Sequence, residues 1–225
     1  MSKLVWDATG ERFYETGVES VALYKMTNSG YGTGVAWNGV TAINETPSGG
    51  ESNEQYADDI LYLNLISQEK FGFTIEAFQA PKEFNECDGS VEIAPGVYAG
   101  QQARKSFGLA YKSKIGNDVD NDEHGYYLHL VYGAKASPTE VSRSTINETP
   151  EPSTLSWECN TTPEKIEGYR PIAHIKIDSR DFKSTADKTK LANFEKTLFG
   201  DTATDPTLPP ISTVISTFQP SGQTS

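Results

Sequence analysis

Imidazoles are the side chains best suited to acid-base work or metal ligation near neutral pH, and this chain has three, His124, His129 and His174. None belongs to a GxSxG elbow or an HExxH pair, so nucleophilic and zinc-dependent hydrolysis lack their usual sequence support. His129 and His174 alternate with apolar neighbours, which reads as structural histidines satisfied within a fold. Asp118, Asp120 and Asp122 are spaced like the first ligands of a calcium loop. Glu123 then stands where such a loop needs glycine, and His129 where it needs a bidentate glutamate, so an acidic turn is the better reading. Gly30, Gly32 and Gly34 precede neither a Lys-Ser/Thr pair nor a helical pattern, so they read as turn residues. With 31 Asp and Glu residues, two facing carboxylates would say little about glycoside hydrolysis. Cys87 and Cys159 lack a CxxC partner and read as buried, reduced thiols. The expectation is a protein that is not an enzyme, with no catalytic residue, no cofactor and no metal.

The elements that must position these residues are mostly strands. Period-2 segments run over Val18–Tyr24, Gly34–Trp37, Val40–Glu45, Leu61–Leu65, Phe71–Phe78, Lys105–Ile115, Tyr126–Tyr132, Leu155–Asn160 and Ala173–Asp178, with Gly, Pro, Asn and Asp between them. One helix is expected near residues 185–199: Ser184 and Asp187 form a capping pattern, Leu191, Phe194 and Leu198 share a face, and Gly200 supplies the stop. The fold class is therefore mainly β, an antiparallel sandwich or barrel with one flanking α-helix.

Charge narrows the function further. The formal net charge is −12, with 19 Lys and Arg, which disfavours a groove that grips phosphates. No basic residue lies between Lys25 and Lys70, while Glu45, Glu51, Glu54, Asp58, Asp59 and Glu69 all fall there. The opening residues lack a signal-peptide core, and no run approaches a membrane span, so synthesis in a cytoplasm without membrane insertion is expected.

The pentapeptide Ile-Asn-Glu-Thr-Pro occurs at Ile43–Pro47 and again at Ile146–Pro150. The likeness continues upstream, from Gly30-Tyr31 to Gly125-Tyr126, and downstream, from Thr74-Ile75-Glu76 to Ser156-Trp157-Glu158. It suggests two related half-sandwiches, the first carrying a long acidic excursion within residues 48–70 whose tip is near Gly49–Asp59.

Several blocks also carry a family resemblance: Trp6–Val18, Gly34–Ala42, Tyr56–Leu65, Cys87–Ser90, Gly100–Gln102, Phe107-Gly108, Tyr127–Pro138 and Ser156–Pro163. Together they resemble the major tail protein family of siphophages infecting Gram-positive bacteria, in order from the N-terminus to about residue 200. The resemblance implies one tail-tube β domain over residues 1–200, built into sixfold rings that stack into a hollow tube in the virion tail. DNA passes through that tube without specific binding. The expected partners are copies of the chain itself, a tape measure protein, and tail terminator and distal tail proteins.

The resemblance further implies an inter-ring loop at Ser48-Gly49-Gly50-Glu51-Ser52-Asn53-Glu54-Gln55-Tyr56-Ala57-Asp58-Asp59. It places an N-terminal arm within residues 1–16, at Lys3-Leu4-Val5-Trp6-Asp7-Ala8-Thr9-Gly10-Glu11-Arg12-Phe13-Tyr14, and a C-terminal arm or tail at 201–225. The residues alone leave an alternative open, a carbohydrate-binding sandwich that uses exposed Tyr31, Trp37 or Tyr56.

Overall fold

The structure is a computed structural model, described over residues 3–143, 145 and 152–219. Thirteen strands are present among the described residues: β1 (Tyr14–Thr27), β2 (Gly30–Tyr31), β3 (Val35–Ala36), β4 (Val40–Glu45), β5 (Ser52–Ala57), β6 (Ile60–Ile66), β7 (Gly72–Ala77), β8 (Val91–Ala94), β9 (Val97–Ala99), β10 (Phe107–Asn117), β11 (Asn121–Ala136), β12 (Leu155–Thr161) and β13 (His174–Asp178). Two helices follow, α1 (Thr185–Phe199) and α2 (Ile211–Phe218). The architecture is mainly β and antiparallel, as the alternating pattern requires.

Nine strands form one sheet in the order β2-β1-β10-β11-β12-β7-β4, with β3 on β1 and β13 on β11. Strand β4 also comes within 8 Å of β1, Cα to Cα, so the sheet curls toward closure. Both faces of this sheet are covered, and period-2 alternation sorts side chains between them. On one side Leu23, Leu109, Tyr111, Val131, Phe73, Ile75 and Trp157 pack into an inner core. On the other, Ala22, Tyr24, Ala110, Leu128, Leu130 and Tyr132 pack beneath the helices.

On the side away from β10, strand β11 serves two partners along its length. Tyr127–Val131 pair with β13, whereas Ala134–Ala136 pair with β12. Gly133 lies between these ladders at φ 60°, where a Cβ would strike the Thr162 carbonyl, so glycine lets the strand change direction and partner.

Helix α1 starts where expected: the Ser184 Oγ accepts from the Asp187 amide at 3.1 Å, and Gly200 ends the helix at φ 77°. Leu191, Phe194 and Leu198 are buried against the sheet, each contributing about 1.5–3 kcal/mol by area. Lys112 and Glu195 pair at 3.1 Å, and the Tyr126 hydroxyl donates to the same carboxylate, which pins the helix to β10 and β11.

Two sequence expectations are corrected. Residues 201–219 do not extend as an arm but fold back, with Leu208, Ile211 and Val214 buried beneath α1 and the sheet. The apolar face of α2 drives this, aided by the Tyr132 hydroxyl, which donates to the Pro209 carbonyl at 3.0 Å. The upstream pairs of the internal likeness do not hold equivalent places either. Gly30-Tyr31 is a two-residue strand on the margin of β1, while Gly125-Tyr126 lies inside the sixteen-residue β11. The downstream triads are instead direct cross-strand partners, Glu76 opposite Ser156 and Thr74 opposite Glu158. The second pentapeptide lies outside the described residues.

Candidate functional site

The excursion expected as a loop is a β-hairpin. Strands β5 and β6 pair from Ser52 opposite Ile66 to Ala57 opposite Ile60. Asp58 and Asp59 form the turn with φ 50° and 63°, the left-handed pair that a two-residue hairpin turn demands and that aspartate tolerates. At the base, Ser48 and Lys70 bridge the two legs.

Every residue of both strands is exposed, so the hairpin projects from the body on both faces. Strand β6 is nevertheless apolar: Ile60, Leu61, Tyr62, Leu63, Leu65 and Ile66 are all between 49% and 70% exposed. An isolated two-stranded hairpin is marginal in water, and a contiguous exposed apolar patch marks an interaction surface. The legs and tip carry Glu51, Glu54, Asp58, Asp59 and Glu69, so the complement is an apolar surface with basic groups at its rim.

A second exposed hairpin, β8 with β9, shows Val91, Ile93, Val97 and Tyr98 to solvent and turns through Pro95 and Gly96, the latter at φ 78°. At the N-terminus Leu4, Val5 and Trp6 are 72–74% exposed. The segment just after them is fastened: Gly10 and Arg12 amides donate to Asp118 Oδ1 at 3.0 and 3.4 Å, and Phe13 packs on His124. Tyr14 is already in β1, opposite Gly116.

Asp118, Asp120 and Asp122 diverge around the β10–β11 turn. Asp118 holds the N-terminal segment, Asp120 faces His124 Nδ1 at 2.9 Å, and Asp122 pairs with Lys114 at 3.2 Å. Their oxygens do not converge.

His129 and His174 do converge, with Glu45, at the polar end of the inner core. His129 Nδ1 lies 3.1 Å from His174 Nε2 and 3.6 Å from Glu45 Oε1. The Tyr111 ring stacks on His129 with 2° between planes, and Phe71 stacks on His174. Burial, with His174 and Lys176 nearby, pushes His129 down to about 3, so its imidazole is neutral at physiological pH. Burial likewise holds Cys87 up at about 12, and both cysteines are buried free thiols.

The aromatic residues considered for sugar binding are dispersed. Trp37 is buried, with its Nε1 donating to the Gln79 carbonyl at 2.9 Å, and the Tyr31 hydroxyl accepts from the Gly133 amide at 2.8 Å. Tyr56 alone of the three is exposed, and its hydroxyl donates to Glu54. Sequence reasoning located the excursion and the alternation of Leu61–Leu65 in the second leg of its hairpin, and read the first leg, Ser52–Ala57, as loop. It missed that β6 is exposed on both faces despite its apolar residues, because alternation reads as one buried face. Neither family models nor curated proteins match the chain.

Proposed function

We propose that the chain is a structural subunit of the major tail protein type, which joins copies of itself into stacked sixfold rings and so builds a tube for genome passage in a phage virion. The exposed apolar strand of the β5–β6 hairpin carries this reading. A soluble monomer has no use for six large apolar side chains on a projecting hairpin, whereas a second copy of the chain can bury them. On the resemblance to tail proteins, that copy would be the next ring's subunit, and the hairpin includes the Ser48–Asp59 stretch that the resemblance assigns to an inter-ring loop.

The charge agrees with the role. A net charge of −12 suits a conduit wall that must not hold phosphates, because each lumenal Lys or Arg adds a contact that retards DNA. Exposed strand margins belong to the same scheme: the two-stranded β5–β6 and β8–β9 sheets have no further ladder partner among the described residues, and their outer edges can pair between subunits.

The test compares the intact, tag-free chain with a variant in which Gly50–Gln68 is replaced by a two-residue turn. Light scattering and negative-stain microscopy at rising concentration should show rings or tubes for the first and folded monomers for the second. A monomeric wild-type protein at high concentration, or tubes of normal length from the shortened variant, would overturn the reading.

A further inference from the structure

Glu45, His129 and His174 lie outside the hairpin that carries the proposed assembly, and their donor atoms all lie within 4.8 Å of one another. Each comes from a different strand, β4, β11 and β13, and each reaches the same point at the end of the inner core.

Proton placement defines which imidazole atom is free. The Ser113 hydroxyl donates to Glu15 Oε1 at 2.5 Å, so its oxygen can only accept from His129 Nε2, 3.0 Å away. His129 therefore carries its proton on Nε2, and the Nδ1 lone pair faces His174 Nε2 and Glu45 Oε1. The Tyr111 hydroxyl donates to Glu45 Oε1 at 3.1 Å, which orients that carboxylate from the other side. An imidazole held in one tautomer through a hydroxyl and a carboxylate is the outer-shell arrangement that positions metal-binding histidines.

We propose that Glu45, His129 and His174 form a binding site for one divalent transition ion, best matched by zinc. Tetrahedral zinc with Zn–N distances of about 2.0 Å separates its ligand atoms by about 3.3 Å. The spacings of 3.1 Å between the imidazoles and 3.6 Å from His129 to Glu45 bracket that value. Without an ion, the His174 Nε2 proton bridges to His129 Nδ1. On binding, that proton moves to His174 Nδ1, the ring stays neutral with no net proton released, and the ion lies off the line between the two nitrogens, the rings, 4° apart in plane, turning to aim their lone pairs at it. Two neutral imidazoles and one carboxylate leave the ion with a charge of +1 and a fourth position open to the groove lined by Glu15, Ile43 and Lys176. The Lys176 ammonium is drawn over the Tyr127 ring, 4.1 Å from its centroid. Bound there, the ion would cross-link three strands that meet only through tertiary pairing.

Titration of tag-free, metal-stripped protein with zinc chloride in a calorimeter should show one ion per chain. Cobalt(II) in its place should give the intense visible absorption of a four-coordinate site. At a hundredfold excess over Kd, zinc should raise Tm by about 5–10 °C. Glu45→Gln, which keeps the oxygen that Tyr111 addresses, and His174→Ala should each weaken binding by 10-fold or more while circular dichroism stays native. Absence of stoichiometric binding in the wild-type chain, or wild-type affinity in both variants, would overturn the site.

Discussion

Ser48 and Lys70 exchange both backbone hydrogen bonds, amide to carbonyl at 2.9 and 2.7 Å. The excursion between them thus leaves and rejoins the body at one point, and its exposed strands contribute little to the core. Replacing Gly50–Gln68 by a short turn should change Tm by no more than a few degrees, since surface changes away from the core usually stay within about 0.5 kcal/mol. Differential scanning calorimetry checks this independently of assembly.

Leu208 is 2% exposed and packs over Gly108 of β10, inside the body of the fold. Leu208→Ala should destabilise the protein by about 2–4 kcal/mol, the usual loss for a buried leucine. Urea unfolding measures it, and a change below about 0.5 kcal/mol would mean that residues 201–219 are not part of the packed body.

Asp118 accepts from the amides of Gly10 and Arg12 and so ties the N-terminal segment to the β10–β11 turn. Asp118→Ala should release that segment with little effect on the sheet. Hydrogen exchange at residues 10–12 should accelerate, while protection in β10 and β11 stays unchanged.

Glu86 sits between Lys105 Nζ at 2.5 Å and Lys25 Nζ at 3.0 Å, and these ammonium groups, Lys105 first, hold its carboxyl below the usual glutamate range. A carboxylate with a depressed folded-state pKa stabilises the fold at pH values above its unfolded pKa, and that contribution disappears as pH falls through the folded value. Glu86→Gln should therefore lower Tm at pH 7, and the difference from wild type should close on acidification to about pH 3. Parallel melts across that range decide it.

Gly133 takes φ 60° at the point where β11 passes from β13 to β12. Gly133→Ala adds both a left-handed alanine and a Cβ against the Thr162 carbonyl, so it should destabilise by at least about 1–2 kcal/mol. Urea unfolding measures the loss, and near-neutral behaviour would show that the bend has another cause.

Alternation, capping and turn residues are local properties, and wherever they were strong the elements were legible in the sequence alone. Val40–Glu45 matches β4 residue for residue, each of the other eight alternating segments overlaps a strand, and Ser184, Asp187 and Gly200 bound α1. Strand β5 was not legible, because Ser52–Ala57 is polar and exposed on both faces and is held by backbone pairing to β6. Helix α2 does carry its signal, Ile211, Val214, Ile215 and Phe218 at helical spacing, but eight residues are too few for that pattern to announce a helix without the sheet beneath it.

By itself the sequence determined the β class, the first helix, the place of the excursion and the acidic character of the chain. Only the tertiary structure decided that the excursion is an apolar hairpin, that residues 201–219 close over the sheet, and that Glu45, His129 and His174 share one point. Periodicity tells which face of a strand is buried, but which strands become neighbours, and in what register, depends on pairing across long sequence separations that no local pattern encodes.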